Sequence, residues 1–296
     1  MSTNNIPIEK TPGTGDWILL GLLSLIWGSS FILIKKSLIA MDYIQMASMR
    51  ISISTIAFLP VILFYRKKIE VKKLPYVALI GILGAGIPAY SYAFAQTQIA
   101  SSVTGILNSL TPFFTFIIGI LFFNSKFKKN KLIGLTLGFI GALMLIFQGS
   151  LEQSNNILYA FFIVLGTMCY GFNINVVKKH FQESNPILLT ALSFGIIGGP
   201  AIAYLYLTDA VSEILSSPEA SISISSILIL SLIGTVVANI LYFRLAQSTS
   251  AVFASSVAYL MPIVALFWGI LDNETINLIQ LASFGVIVYG VYLIRK

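Results

Sequence analysis

Residues 27–36 read WGSSFILIKK, and residues 170–179 repeat the pattern as YGFNINVVKK. Two further segments return in the same order: AQTQIA at 95–100 returns as AQSTSA at 246–251, and LTPFFTFIIGIL at 110–121 returns as LMPIVALFWGIL at 260–271. The shared order and nearly constant spacing indicate that the chain holds two copies of one unit. In a hydrophobic chain, such a duplication predicts a transporter made of two repeats with a binding site between them.

The composition of the chain is that of a membrane protein. Of its 296 residues, 57% are hydrophobic and 10% are charged, whereas about 25% of the residues in a soluble domain are charged. A soluble core could not bury this much apolar side chain, so we expect the solvent to be lipid. The N-terminal residues 1–15 are polar and have no basic region ahead of a short apolar stretch, so no cleaved signal is expected.

Metal and nucleic-acid binding both find little support in the composition. The single Cys169 excludes an intramolecular disulfide and a Cys-rich metal site, and the single His180 excludes a His cluster, so neither a metal nor a cofactor is expected. The net charge of +7 could suggest nucleic acid, but the basic residues lie in short runs at the ends of apolar segments. That arrangement indicates membrane topology, and no nucleic-acid partner is expected.

Segments of roughly 20 apolar residues predict an all-α polytopic membrane protein with ten transmembrane helices. The predicted spans are 16–35, 43–65, 74–96, 100–123, 131–148, 157–178, 185–207, 225–246, 251–271 and 277–294. The longest predicted loop is the Ser-rich stretch around 208–224. The expected organisation is a polar cytoplasmic tail (1–15), a first five-helix repeat (16–148), an extracytoplasmic linker (149–156) and a second five-helix repeat (157–296).

The basic residues predict the orientation of the chain. If the N-terminus is cytoplasmic, 15 of the 18 lysine and arginine residues fall on the inner side, and only Lys35 and Lys36 fall outside. Both termini are therefore expected in the cytoplasm. Because each repeat has an odd number of spans, the second copy enters the membrane from the opposite side, and the repeats are predicted to be inverted. The Lys-Lys pair illustrates this, since it lies outside after the first span and inside, as Lys178 and Lys179, after the sixth.

Several segments resemble the EamA-like branch of the drug/metabolite transporter superfamily. They are WGSSF…KK, MASMRIS at 46–52, LTPFFTFIIGILFF at 110–123 and GLTLGFIGALML at 134–145, together with their recurrences in the second half. The resemblance covers nearly the whole chain. It departs from the family pattern after the fourth and ninth spans, where 124–126 (NSK) and 272–274 (DNE) replace the usual Gly-Glu.

This resemblance implies ten helices around a central cavity that is lined by helices 1, 3, 4, 6, 8 and 9. Helices 5 and 10 would lie at the edge, where members often form a homodimer contact. The implied activity is the export or import of amino acids and other small metabolites.

Polar side chains in membrane-spanning helices tend to face a cavity or another helix, because lipid offers them no partner. The candidates for substrate contact are Trp27, Ser30, Tyr90, Asn108, Thr111, Asn173, Asn239, Tyr242 and Tyr259. The repeat pairs Ser30 with Asn173 and Asn108 with Tyr259, which predicts that paired residues lie on opposite walls of one cavity. The alternative is that the hydroxyls bond their own backbone and the aromatic residues serve as packing or interfacial anchors. Helix kinks are predicted at Pro88, Pro112 and Pro262.

Arg50 is the one basic residue well inside a predicted span. An intramembrane charge is a functional candidate by default. The alternative is a structural role, in which Arg50 pairs with a helix end or extends to the membrane surface. The repeat places Ser193 at the equivalent position, so the second half has no counterpart for this charge.

All eleven acidic residues fall in loops or at span ends. Carriers coupled to protons or sodium usually keep a carboxylate within the membrane. The hypothesis is therefore facilitative transport, or coupling without a buried carboxylate. The predicted protein is a secondary transporter in a bacterial-type plasma (inner) membrane, with lipid and a small solute as its partners. It would carry amino acids or related zwitterionic or neutral solutes by alternating access around a central cavity.

Two other functions stay open, an exchanger of phosphorylated solutes and a structural or channel subunit, and two more are disfavoured. A nucleotide-sugar or sugar-phosphate exchanger of the same superfamily would favour buried Arg or Lys partners for phosphate, and Arg50 is the one candidate. A membrane enzyme would need an acid–base pair or a nucleophile with a partner at membrane depth, and neither is evident, so no enzymatic activity is expected. A structural or channel subunit would not require inverted halves. An ATP-driven pump is disfavoured because the chain lacks a Walker A segment.

Overall fold

The computed structural model describes residues 12–65, 71–125, 156–274 and 277–295, together with residues 133–134, 136–137, 140–141 and 144. Within these ranges all regular secondary structure is helical. The long helices are α1 (Thr14–Ser37), α2 (Tyr43–Tyr65), α3 (Leu74–Ala95), α4 (Ser101–Phe123), α5 (Asn156–His180), α6 (Pro186–Leu207), α7 (Ala220–Ser248), α8 (Ala251–Leu271) and α9 (Leu278–Arg295). A short helix, Ala210–Ser216, lies between α6 and α7.

Helices α1 to α8 are each long and apolar enough to cross a membrane. They correspond to predicted spans one to four and six to nine, with ends that differ by a few residues. Helix α9 overlaps the tenth predicted span. The fifth span (131–148) and the linker (149–156) lie mostly outside the described residues, as does most of the tail (1–15). The total of ten spans and the cytoplasmic position of both termini therefore stay predictions.

The Ser-rich stretch around 208–224 is more helical than expected. It contains Ala210–Ser216, and α7 begins at Ala220, ahead of the predicted start at 225. Serine is tolerated in a helix when its hydroxyl bonds a nearby carbonyl. Here Ser225 donates to the carbonyl of Ile222 at 3.0 Å, and Ser223 donates to the carbonyl of Lys36 in α1 at 3.1 Å.

The packing of the helices relates the two halves. Helix α1 packs against α7 and α8, α5 packs against α3 and α4, and α2 packs against α6. Each contact of a helix in the first half has a counterpart in the second half: α1 contacts α7 and α8, just as α5 contacts α3 and α4. A two-fold relation between the halves would produce this pattern. Helices α2 and α6 meet at Thr55 and Gly198, which are equivalent in the register of the two opening segments. There the Thr55 hydroxyl lies 3.1 Å from the carbonyl of Phe194.

The repeated glycine of the opening segments allows two of these contacts. A Cβ on Gly28 in α1 would lie 2.6 Å from Cβ of Val264 in α8. A Cβ on Gly171 in α5 would lie 2.7 Å from the backbone nitrogen of Thr115 in α4. Both distances are far below van der Waals contact. Any residue with a Cβ at these positions would therefore force the two helices apart, and glycine does not. Close approach through small residues is typical of helix pairs in membranes.

A charged cluster joins the halves at one end of the bundle. Lys35 Nζ lies 2.7 Å from Asp272 Oδ2 and 2.8 Å from Glu274 Oε1, and Lys36 also pairs with Asp272. Glu274 accepts hydrogen bonds at 3.1 Å from the backbone N–H groups of the first two residues of α4, Ser101 and Ser102. The carboxylate therefore caps a helix N-terminus of the other half, where negative charge is favoured.

The hydrogen bonds in this cluster shift the ionisation of Glu274. Burial by itself would raise the pKa of this carboxyl group, but hydrogen bonds from Lys35, Ser102 and Ser101 outweigh it and lower the pKa to about 2. The side chain of Glu274 is 5% exposed, whereas that of Lys35 is 36% exposed. Glu274 is therefore ionised at neutral pH, and its hydrogen bond with Lys35 fastens the end of α1 to the segment after α8.

Candidate functional site

A cavity lies between the two halves of the bundle. Its wall is drawn from α1, α3 and α4 of the first half, from α5, α7 and α8 of the second half, and from Arg50 of α2. The volume of the cavity is about 80 Å³, whereas a cavity needs roughly 10–15 Å³ to hold one water. The cavity therefore has room for a small organic solute.

The wall is aromatic and polar, and Arg50 is its only charged residue among those described. The aromatic residues are Trp27, Phe31, Tyr92, Tyr170 and Tyr242. The polar residues are Ser30, Arg50, Asn108, Thr111, Asn173, Thr235, Asn239 and Ser255. Apolar side chains and glycine complete it, including Ile34, Gly84, Ala85, Val257, Ala258 and Met261.

Most of the residues singled out from the sequence lie on this wall. They are Trp27, Ser30, Asn108, Thr111, Asn173, Asn239, Tyr242 and Arg50. Tyr90 and Tyr259 do not line it. The hydroxyl of Tyr90 instead lies 2.9 Å from Oγ of Ser48 in α2. The predicted pairing of Asn108 with Tyr259 is off by one residue. When Pro112 is aligned with Pro262, the counterpart of Asn108 is Ala258, and Ala258 lines the cavity.

Two π-helical turns shape the wall, and the pattern of the sequence does not predict them. They are Ile82–Gly86 in α3 and Leu232–Val237 in α7, at corresponding positions of the two halves. A π-turn inserts one residue and rotates the rest of the helix by about 100° relative to a regular helix. Tyr92 follows the turn in α3 and lies on the wall. Tyr90 is two residues earlier, roughly 200° around the helix, and contacts α2.

Each π-turn approaches one member of the Ser30–Asn173 pair predicted from the repeat. A Cβ on Gly84 would overlap Nδ2 of Asn173, and a Cβ on Gly234 would lie 3.0 Å from Oγ of Ser30. The indole Nε1 of Trp27 donates to the carbonyl of Gly234 at 2.8 Å. The glycines thus bring the backbones of α3 and α7 against the cavity-lining faces of α5 and α1.

The three prolines expected to kink helices lie near the wall but do not line it. Pro88 and Pro112 occupy the first turn of helical segments that resume after an interruption, and Pro262 lies inside Val257–Leu271. The residues four positions before the three prolines are Gly84, Asn108 and Ala258, and all three line the cavity. Because proline has no N–H, it leaves the carbonyl of the residue four positions earlier without its usual helical partner. The hydroxyl of Thr111 donates to the carbonyl of Asn108 at 2.8 Å.

The three lining asparagines differ in how their amides are used. Asn108 accepts a hydrogen bond from the hydroxyl of Tyr92 and lies 3.5 Å from the sulfur of Met261. Asn239 donates to the carbonyl of Thr235 at 2.8 Å. Asn173 is 3% exposed, and its Oδ1 has no hydrogen-bond partner among the described residues. Asn173 therefore holds a buried acceptor that none of the described residues uses.

Arg50 is held by the second half of the protein. Its Nε donates to Oγ1 of Thr235 at 2.8 Å, and Thr235 belongs to the π-turn of α7. None of the ion pairs among the described residues involves Arg50. This hydrogen bond joins α2 to α7, so the structural and the functional role of Arg50 both stay predictions. The guanidinium faces the cavity with a neutral hydroxyl as its partner.

Comparison with known proteins assigns the chain to a family. The model of the EamA-like transporter family matches twice, at residues 16–147 and 157–296. An uncharacterized transporter of Archaeoglobus fulgidus is 27% identical, with 95% of this chain and 98% of that protein covered. The uncharacterized inner membrane transporter YedA of Escherichia coli K12 is 26% identical over 92% of this chain and 88% of that protein.

A probable amino-acid metabolite efflux pump of Salmonella typhimurium is 25% identical over 94% of each chain. A solved crystal structure has the same fold, with a TM-score of 0.64 and 12% identity over 95% of this chain and 97% of that one. Both copies of the family model together span almost the whole sequence. This chain belongs to the EamA-like transporter family.

Proposed function

We propose that this protein is a secondary transporter of amino acids or related zwitterionic or neutral solutes. The observation that carries the proposal is the cavity whose wall is shared by the two halves, since carriers made of repeats bind their solutes at the repeat interface. The wall combines aromatic faces, uncharged hydrogen-bonding groups and one cation, which suits a small solute with a carboxylate and an amino group. The name of the Salmonella relative agrees with this class of solute.

We infer that the two halves are inverted repeats that rock against each other to open the cavity to each side in turn. The matching helix contacts of α1–α4 and α5–α8 support this inference. The cluster of Lys35, Lys36, Asp272 and Glu274 joins the halves at one end. These ion pairs would separate when that end opens, and they would re-form when it closes.

The proposed location is a bacterial-type plasma membrane with both termini in the cytoplasm. Eight apolar helices of sufficient length support a multi-pass membrane protein, and the relative YedA is named an inner membrane transporter. A homodimer contact through the edge helices is a further expectation from the family resemblance. Lipid would surround the exposed apolar side chains, such as Phe64 at 84% and Leu207 at 78% exposure.

The coupling mode follows from the charges of the wall. No Asp or Glu lies among the described residues that line the cavity. We therefore propose transport down the gradient of the solute, or exchange of one solute for another, with no proton carried by a cavity carboxylate. A nucleotide sugar carries at least two phosphate charges, and a wall with one cation matches it poorly.

Counterflow into proteoliposomes tests this proposal. Vesicles loaded with a mixture of unlabelled amino acids should accumulate at least one labelled amino acid faster than protein-free vesicles do. A pH gradient across the membrane should leave the final accumulation unchanged. Absence of counterflow for every amino acid would refute the proposed function. Uphill accumulation driven by the pH gradient would refute only the proposed coupling mode.

A further inference from the structure

The cavity contains a cation that no carboxylate of the described residues neutralises. Arg50 has five N–H donors, and the structure assigns one of them, on Nε, to Oγ1 of Thr235 at 2.8 Å. The nitrogens of its two terminal amino groups make no hydrogen bond to any described residue. When Nε is fixed, the edge of the guanidinium that carries the two terminal nitrogens stays available. That edge can donate two parallel hydrogen bonds to the two oxygens of a carboxylate.

An unpaired charge in this setting is costly. Burying a cation without a partner is strongly unfavourable, and the cost is offset when an anion binds with good geometry. A purely structural arginine would be expected to bind a carboxylate or several carbonyls of the protein. Arg50 instead has one hydrogen bond among the described residues, to a neutral hydroxyl, lies near the phenol of Tyr170, and faces a space large enough for several waters. The missing anion would therefore come from the solute.

The rest of the wall is consistent with a solute that carries one negative group. No other lysine or arginine lines the cavity among the described residues, so the site could neutralise one carboxylate but not a di- or triphosphate. No acid lines it either, so a cation without a carboxylate would meet only repulsion from Arg50. Asn173 and Asn239 also line the cavity, and an amide side chain can serve the uncharged polar groups of a solute.

We propose that Arg50 binds the carboxylate of the transported solute, an inference that rests on the proposed transport function. The Thr235 hydroxyl fixes Nε, and the two terminal amino groups of the guanidinium hold the carboxylate oxygens. A free carboxylate is then the feature that the site requires. An amine, an amide or an ester of the same size lacks it and is rejected.

The test compares each amino acid with its own carboxamide, which keeps the side chain and the ammonium group but removes the negative charge. Proteoliposomes of the full chain are given the twenty common amino acids and, separately, their carboxamides, and uptake is read by mass spectrometry. The wild-type protein should take up at least one amino acid. The uptake rate of its carboxamide should be lower by about tenfold, as expected for the loss of a charged hydrogen-bonded pair. This comparison requires no variant.

Variants then assign the preference to Arg50. Arg50→Gln should abolish the preference for the free acid, and Arg50→Lys should keep the preference while weakening uptake, because lysine retains the charge but not the two-pronged edge. Arg244→Gln is the matched control, because it removes the same charge from an exposed position on α7 outside the cavity, and it should behave like the wild type. Thermal unfolding of each purified variant shows whether it is folded.

The possible failures are distinct. If the protein takes up amino acids and their carboxamides equally well, the role of Arg50 is refuted and the transport function stands. The same holds if folded Arg50→Gln keeps the wild-type preference for the acid. If neither set enters faster than into protein-free vesicles, the proposed function itself is refuted, and the inference falls with it.

Discussion

Nε of Arg50 donates a hydrogen bond to Oγ1 of Thr235 at 2.8 Å, and this contact joins α2 of the first half to the π-turn of α7 in the second. Thr235 in turn lies 3.0 Å from the carbonyl of Leu230, five residues earlier, as the geometry of a π-turn allows. The position of the cavity cation therefore depends on both halves. A movement of one half against the other would change the position of the guanidinium relative to the rest of the wall.

Thr235→Val should weaken solute binding without unfolding the protein. Valine has nearly the shape of threonine but cannot accept the hydrogen bond from Arg50, and a hydrogen bond to a charged group contributes roughly 1.5–3 kcal/mol. We expect the KM of uptake to rise about tenfold. Thr235→Ser keeps the hydroxyl and should stay close to the wild type. The measurement is the concentration dependence of uptake in proteoliposomes, and equal KM values for Thr235→Val and the wild type would contradict a positioning role.

Gly84→Ala and Gly171→Ala should have different effects. A Cβ on Gly84 would meet the end of the Asn173 side chain, which can move, so we expect impaired uptake with little change in the unfolding temperature. A Cβ on Gly171 would lie 2.7 Å from the backbone nitrogen of Thr115, which cannot move without separating α5 from α4. Gly171→Ala should therefore lower the free energy of unfolding by about 3 kcal/mol.

Gly199→Ala provides the control for both glycine variants, because a Cβ there meets nothing within 4 Å. Thermal unfolding in detergent and uptake in proteoliposomes separate the two effects. A Gly171→Ala protein as stable as Gly199→Ala would show that the close approach of α5 and α4 is unnecessary. Normal uptake by Gly84→Ala would remove the support for Asn173 as part of the binding wall.

The cluster around Glu274 should make stability depend on pH in the acid range. The pKa of Glu274 is lowered from 4.5 to about 2 in the folded protein. Its stabilising contribution is therefore complete above pH 4.5 and is lost as the pH falls from there towards 2. Glu274→Gln should lower stability at neutral pH by about 2 kcal/mol, which is less than for a fully buried pair because Lys35 is partly exposed.

Unfolding temperatures measured between pH 7 and pH 2 check this prediction. Glu274→Gln should show a smaller loss of stability than the wild type between pH 4.5 and 2. Glu183→Gln, at an exposed position after α5, should follow the wild-type curve. Parallel curves for Glu274→Gln and the wild type would mean that the ion pairs with Lys35 do not stabilise the closed end.

The predicted orientation can be tested by cysteine labelling. In a Cys169→Ser background, a cysteine at Ser216, between α6 and α7, should react in intact cells with a maleimide that cannot cross the membrane. A cysteine at Glu183, between α5 and α6, should react only after the membrane is opened. Both positions are exposed. The reverse pattern would place the N-terminus outside and would contradict the orientation inferred from the basic residues.

Several features of this protein follow from its sequence because they depend on local composition. Apolar runs of about 20 residues locate the spans, and α1 to α8 begin and end within a few residues of the predicted bounds. The repeat of residues 27–36 at 170–179 identifies the two halves and pairs Ser30 with Asn173, and both residues line the cavity. Polar residues in lipid-spanning helices need a cavity or a neighbour, and most of the residues chosen on this requirement line the cavity.

Other features arise only from the packing of distant segments. After the π-turn at Ile82–Gly86, Tyr92 lies on the wall and Tyr90 does not, and neither helical periodicity nor composition marks such a turn. The sequence could not distinguish Asn108, whose Oδ1 accepts a hydrogen bond from Tyr92, from Asn173, whose Oδ1 has no partner in the part of the chain that the structure describes. The sequence by itself determined which of the described segments are long and apolar enough to cross a membrane, because transfer into lipid depends on each segment alone. Only the tertiary structure decided which polar groups remain available to a solute, because that depends on the neighbours each group meets across the two halves.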